Sequence, residues 1–306
     1  MSPPPSTVRE LEATGQAVRP RRAPGHREVD PLAFLALPAG LYFLVALIIP
    51  LGLLFGSSLR VGDALSLENY ARFLRDPHNQ GVVWNTIKYG LVVTAGCLAI
   101  GYPYALAMAR VSGGRQTLLL VGVFLPMTAS VIVKAFGWTI LLRSNGVVNQ
   151  AIMGIGLTGE PVQLLFSQTG LFLGTVSILL AFMILPVYSV LRLIPQELDD
   201  AAASLGATSA YRFVHVILPL SRSGVLAGCA FVFSMTVSAY VIPSVLTGAG
   251  YQVMSKVIAY SYLTVRDPAL GSTVSVLLLL IAGSAVIVSG WLAGERRMER
   301  RWKTGG

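Results

Sequence analysis

The sequence predicts an all-α polytopic membrane protein with six transmembrane helices. Three observations carry that class. Of its 306 residues, 54% are hydrophobic and only 12% charged, with a mean hydropathy of +0.68; water-soluble domains do not have this profile. Six apolar stretches, about 32–59, 83–109, 116–142, 169–194, 224–246 and 270–293, contain no Asp or Glu, and each reaches the roughly 20 residues a helix needs to cross a bilayer. Lys and Arg are unevenly placed: fifteen of the 23 fall in the N-terminal tail, the 110–116 turn, the 192–223 region and the C-terminus, against eight in the intervening loops and inside spans. Such an excess marks the cytoplasmic side, so both termini are expected in the cytoplasm of a multi-pass inner-membrane protein.

Residues 1–31 are rich in Pro, Arg and Glu and show no apolar periodicity, so they are expected to be a disordered cytoplasmic tail. The first span is too long for a signal-peptide core and has no small-residue cleavage pattern; Pro38 and Pro50 are expected to mark its ends or kink it. A polar loop follows over 60–82, in which ENYARFL has the makings of a short surface helix. At the start of the second span Trp84 and Tyr89 suit the interface and Lys88 can snorkel to it. Arg110, Gly113, Gly114 and Arg115 form a tight basic turn before the third span, and 143–168 reads as a Gly-rich external loop. Gly170 and Gly174 give the fourth span a small face for a neighbouring helix. The fifth span ends near Pro243, with a broken or re-entrant stretch expected over 247–259. The sixth runs into a basic tail, 295–306. These spans form one transmembrane domain, 32–294.

Pro195–Pro219, PQELDDAAASLGATSAYRFVHVILP, is the one long polar interlude between apolar spans. Pro195 suits a helix start, and Glu197, Asp199 and Asp200 favour the positive end of its dipole. Leu198, Ala202 and Leu205 give that helix an apolar face, and Gly206 can take the left-handed conformation that ends it. Thr208 or Ser209 can cap a second helix with Phe213, Val214 and Ile217 on its inner side, which Pro219 is expected to terminate.

DAAASLG, nine residues, then VILP resembles the EAA loop of permease subunits of binding-protein-dependent ABC importers. Asp200, Ala201, Ala202, Gly206, Leu218 and Pro219 match the pattern, with Asp200 in place of the usual Glu and Val216 in place of the usual Ile. FLPMTASVIVKAFGWTILLRSNGVVN is similar to the third-span region of the spermidine and putrescine branch, in which a basic residue holds the place of Lys134. AYVIPSVLTGAG is similar to that branch's fifth-span segment. The resemblance implies the type I ABC importer permease fold, with the 195–223 loop as a cytoplasmic coupling helix that sits in a groove of an ATPase. It implies three partners besides the membrane: a cytoplasmic ABC ATPase dimer, a second permease subunit that is a paralogue, and an extracytoplasmic solute-binding protein. Mechanistically it implies alternating access, with a small polar organic solute moved inward.

No GxxxxGK[ST] phosphate loop occurs, so ATP hydrolysis is expected from a separate subunit and no cofactor from this chain. The chain carries no cluster of catalytic residue types and is not expected to be an enzyme. Cys97 and Cys229 lie in apolar spans, His26, His78 and His215 are isolated, and neither a metal site nor an aromatic-basic nucleic-acid surface is present in the pattern. The rival class, a secondary transporter or channel, would need its own coupling-ion site, which intramembrane carboxylates usually build; the spans have none. Four residues are candidates for the substrate path. Lys134 is a cation within an apolar run, which calls for a partner or a watery cavity, or else for pairing with backbone carbonyls. Trp138 follows one turn later. Tyr240 and Pro243 stand where the fifth span breaks, and irregular backbone at membrane depth is tolerated where it lines a cavity or is buried in protein. Many polyamine-carrying relatives have an acidic residue just ahead of the aromatic in this segment. Here that position is Ala239, so the cargo is expected to be an amino-acid or opine-like zwitterion or an organic anion as readily as a polyamine.

Overall fold

The computed structural model describes residues 31–61, 64–248 and 250–303, and the chain falls into two compact units, 1–51 and 52–306. The tail expected to be disordered lies outside the described residues up to residue 30. In the first unit the chain is helical from Pro31, as the opening part of α1 (Pro31–Leu59), and Pro38 and Pro50 both lie within that helix rather than at its ends.

The second unit is a helical bundle. Its core is built by α3 (Pro77–Arg110), α7 (Gln168–Leu191) and α10 (Leu218–Ser238), flanked by α13 (Pro268–Lys303). Glycines let these helices approach closely. A Cβ on Gly90 would fall 2.6 Å from the Phe233 ring, and one on Gly224 would fall 2.8 Å from the Pro186 carbonyl. Small residues serve the same purpose at membrane helix interfaces generally. Two buried hydroxyl pairs add direction to the packing: Tyr89 with Thr175 and Tyr102 with Ser221, each at 2.8 Å. The short hairpin of β1 (Arg60–Val61) and β2 (Ala64–Leu65) leads to α2 (Glu68–Arg75), the surface helix expected from ENYARFL. Asn69 fixes it by donating to the Ser58 and Arg60 carbonyls.

Four segments depart from the sequence expectation. The third span is two helices, α4 (Gly114–Thr128) and α5 (Val131–Leu141), bent by 98°. Each is shorter than the roughly 20 residues that cross a bilayer. The break follows Pro126: Ala129 bonds back to the Pro126 carbonyl, and Ser130 turns extended and caps the next helix through its hydroxyl. The external loop over 143–168 contains a short helix, α6 (Val147–Gly154), clamped by Asn149, which donates to the Arg143 and Val162 carbonyls and accepts from the Val162 amide. Pro219 does not end the second helix of the polar interlude. Helix α9 (Ser209–Arg212) widens into one π turn over Phe213–Ile217, in which the Leu218 amide reaches the Phe213 carbonyl, and continues as α10. The wider turn accommodates a residue with no N–H to donate, which a regular helix interior tolerates poorly. Finally α13 carries the sixth span past Gly294 into the basic segment as one helix.

Among the described residues five helices are long and apolar enough to cross a membrane, six with the bent α4–α5 pair counted as one. That is the predicted number, with the third member broken.

Candidate coupling element and solute cavity

Helix α8 (Gln196–Ser204) forms where the acidic first turn and the alanine run predict it, one residue after Pro195. Gly206 has φ +83°, and the Gly206 and Ala207 amides bond back to the Ala203 and Ala202 carbonyls. This is the paired bonding of a Schellman stop. Thr208 then caps α9, its hydroxyl accepting from the Tyr211 amide.

None of the residues of α8 is buried. Its apolar face is only partly covered by this chain: Leu198 is 46% exposed and Leu205, at the C-cap, 90%. Leu205 joins Ala202, Gly206, Ala207, Thr208 and Tyr211 around a shallow depression of about 410 Å³. What holds the helix is charge. One oxygen of Asp199 lies 3.1 Å from Arg110, at the end of α3, and 3.1 Å from Arg212, on α9. Arg212 also donates to the Ser209 hydroxyl. Asp200, the residue that matches the family motif, is exposed and its carboxylate has no partner among the described residues. Ala201 is exposed, Ala202 half-buried, and Leu218 and Pro219 stand apart at the head of α10. Leu198 and Pro219 nevertheless line one cavity of about 520 Å³ with His215, Arg222 and Leu292. The sequence places Asp199 only among the first-turn acids and Arg110 only in the basic turn; their pairing, and that of Asp199 with Arg212, comes from the fold.

The four path candidates are not brought together. Lys134 donates to the Pro126 carbonyl at 3.2 Å, so its charge sits at the C-terminal end of α4, where a cation is favoured by the helix dipole and supplies a donor to an orphan carbonyl. Trp138 packs in the core against Gly174 of α7. Pro243 is buried on α11 (Val241–Thr247). Tyr240, at the joint between α10 and α11, lines a cavity.

That cavity, about 520 Å³, is closed on one side by α11 and α12 (Met254–Tyr260) and on another by the start of α3; its walls include His78, Tyr240, Ser244, Lys256 and Tyr260. The re-entrant stretch expected over 247–259 is this α11–α12 turn. Lys256, missed by the sequence reading although it is an apolar-flanked cation like Lys134, donates to the Gly248 carbonyl and, at 2.9 Å, to the Tyr251 carbonyl.

Comparisons with known proteins agree with this architecture. The family model described as binding-protein-dependent transport system inner membrane component matches residues 101–300. The spermidine/putrescine transport system permease protein PotB of Escherichia coli strain K12 is 30% identical over 223 residues, covering 73% of this chain and 81% of that protein. The inner membrane ABC transporter permease protein YdcU of the same strain is 35% identical over 208 residues, covering 63% of this chain and 66% of that one. A chain in the crystal structure of a bacterial ABC transporter involved in the import of alginate superposes with a TM-score of 0.67 at 19% identity, covering 87% of this chain and 95% of its own. The fold is thus that of ABC importer permeases, and the secondary-transporter reading falls away. With a matching model over most of the bundle and relatives at this identity, the chain belongs to the family of binding-protein-dependent transport system inner membrane components, as the permease subunit of an ABC importer.

Proposed function

We propose that this chain forms one half of the inward path for a small polar organic solute in a bacterial inner membrane, and that α8 transmits the closure of a cytoplasmic ATPase dimer to that path. The observation that carries the coupling role is a helix with an apolar face exposed on its own chain, Leu205 foremost, yet fixed in position by a doubly paired carboxylate. Exposed apolar patches on an otherwise ordered element mark partner surfaces. Two alanines on that face leave room for close approach, and Asp200 offers an unpaired charge beside it.

The other half of the path comes from a second permease, a paralogue in this branch, and an extracytoplasmic binding protein delivers the solute. Spermidine and putrescine are candidate cargoes, a reading supported by the names of the relatives; the acid-free spans and Ala239 suit amino-acid or opine-like compounds and organic anions equally well. With α8 against the ATPase, the N-terminal tail, the 195–223 loop and the C-terminus all face the cytoplasm.

The test is Leu205→Asp in the complex assembled with its ATPase, second permease and binding protein. The variant is expected to insert normally and to lose co-purification with the ATPase by about tenfold or more, as a desolvated apolar contact of ~1.5–3 kcal/mol is replaced by a carboxylate that must stay hydrated. Undiminished co-purification and solute-stimulated ATP hydrolysis would show that α8 is not the docking element.

A further inference from the structure

The cavity beside Tyr240 has a charge character that sets it apart from the rest of the bundle. Among its lining residues Lys256 is the one Lys or Arg, and no Asp or Glu is present. The ammonium has three donors. Two are engaged by the Gly248 and Tyr251 carbonyls, which hold the nitrogen at the cavity wall, and the third has no partner among the described residues. Two carboxylates near in the chain accept hydrogen bonds from lining residues, but neither lines the cavity itself. Asp76 caps α3 by accepting from the His78 amide and the Asn79 side chain, and Asp267 accepts from the Leu270 amide at the start of α13. The remaining walls supply further polar groups: the hydroxyls of Tyr240 and Tyr260, the His78 ring and Ser244, whose own proton goes to the Tyr240 carbonyl.

The location gives this chemistry a role. His78 stands in the first turn of α3 and Arg110, which pairs with Asp199 beside α8, in its last. A helix of 34 residues separates these ends by about 50 Å. The cavity therefore opens at the membrane face opposite the coupling element. On the reading that α8 meets a cytoplasmic ATPase, which this inference rests on, that face is external, where solute arrives. Its volume of about 520 Å³ is in the range of small-molecule sites.

We propose that this cavity is an anion-accepting vestibule, in which Lys256 pairs with the carboxylate of a small organic solute, an amino acid or organic acid rather than a bare polyamine. A polycation would meet a fixed positive charge here with no carboxylate on the cavity wall to pair with, whereas a carboxylate completes the coordination of Lys256.

The test reads the charge of the cavity directly. In a background with Cys97 and Cys229 replaced by Ser, Ser244→Cys places one thiol on the α11 wall of the cavity, within the assembled complex in membrane vesicles. Its reaction rate is compared for a negatively and a positively charged methanethiosulfonate of similar size, each corrected for its rate with a free thiol. The negative reagent is expected to react about fivefold or more faster, as one nearby charge at intermediate dielectric allows. Lys256→Met should remove the preference and Lys256→Arg should keep it. Millimolar succinate or γ-aminobutyrate should slow labelling, with putrescine leaving it unchanged. Equal rates, preference for the cationic reagent, a preference that survives Lys256→Met, or protection by putrescine alone would each overturn the proposal. The orientation is read separately: a negative preference seen only in inverted vesicles would keep the anion site and remove the coupling reading on which its external placement depends.

Discussion

Removing the Asp199 carboxylate should free α8 while leaving the bundle folded. The helix buries none of its residues, so its attachment rests on Asp199, whose side chain is 17% exposed, against Arg212 at 20% and Arg110 at 51%. The Arg110 pair is largely solvated and by the record of exposed pairs contributes about 0.2–1 kcal/mol. The Arg212 pair is sheltered, and removing its acid leaves a mostly buried guanidinium uncompensated. Fully buried pairs lose about 3–5 kcal/mol in that event, and partial exposure here brings the figure to about 2 kcal/mol. Asp199→Ala should therefore shift α8 toward its undocked state by about 30-fold, since each 1.4 kcal/mol is a factor of ten. Amide hydrogen exchange in the nucleotide-free complex measures this: residues 199–205 should exchange about ten to thirty times faster, with the core amides of α3 and α7 unaffected. A double-mutant cycle separates the partners. Arg212→Met should show a coupling energy above about 1 kcal/mol with Asp199→Ala, and Arg110→Met one below that. Unchanged exchange over 199–205, or equal coupling to both arginines, would refute the account of Asp199 as the pin.

Three further outcomes follow from the same geometry. Gly206→Val should cost about 1–2 kcal/mol locally, because a β-branched residue is forced to φ +83°, and uptake should fall while insertion, measured by membrane fractionation, stays normal. Gly90→Ala places a methyl 2.6 Å from the Phe233 ring and 2.8 Å from Val237, so thermal unfolding in detergent should report about 1–3 kcal/mol of overpacking. Single cysteines at Ser66 and Ser204, in a background lacking the native ones, should react with an impermeant reagent in intact cells at 66 and stay protected at 204; the reverse pattern would invert the topology.

The helical class, the number of spans and the stop at Gly206 were legible because each depends on a local property: the length of an apolar run, or the one residue type that takes positive φ without strain. The breaks were less so. Pro126 and Pro219 lie in similar apolar surroundings, and residue type alone does not separate them. After Pro126 the chain leaves the helix at Ala129 and Ser130, where a serine is available to cap a new one. Around Pro219 a π turn shifts the bonding register and the helix runs on. The choice is made by what each side can pack against. Ser221 and Gly224, just beyond Pro219, are held against Tyr102 and Pro186, so a bend there would forfeit core contacts. Residues 131–133, at the start of α5, are exposed, so the bend forfeits little there, and α5 returns Ala135 and Trp138 to the interior.

The candidate site divides along the same line. Motif matching found the exposed residues of α8 because a surface read by a partner is fixed in local sequence. It missed Asp199, whose partners are 89 and 13 positions away, since which of two adjacent acids turns inward depends on where the ends of α3 and α9 lie. The same holds for Lys134 and Lys256. Each is an apolar-flanked cation next to a helix break, and sequence treats them alike; each also ends on carbonyls at the break. What separates them is the cavity. Lys134 shares its surroundings with exposed apolar side chains on α5, whereas the α11–α12 turn and the head of α3 enclose Lys256 in a space of solute size. A charge acquires a binding role from the volume it faces, and that volume is set by three segments far apart in the chain.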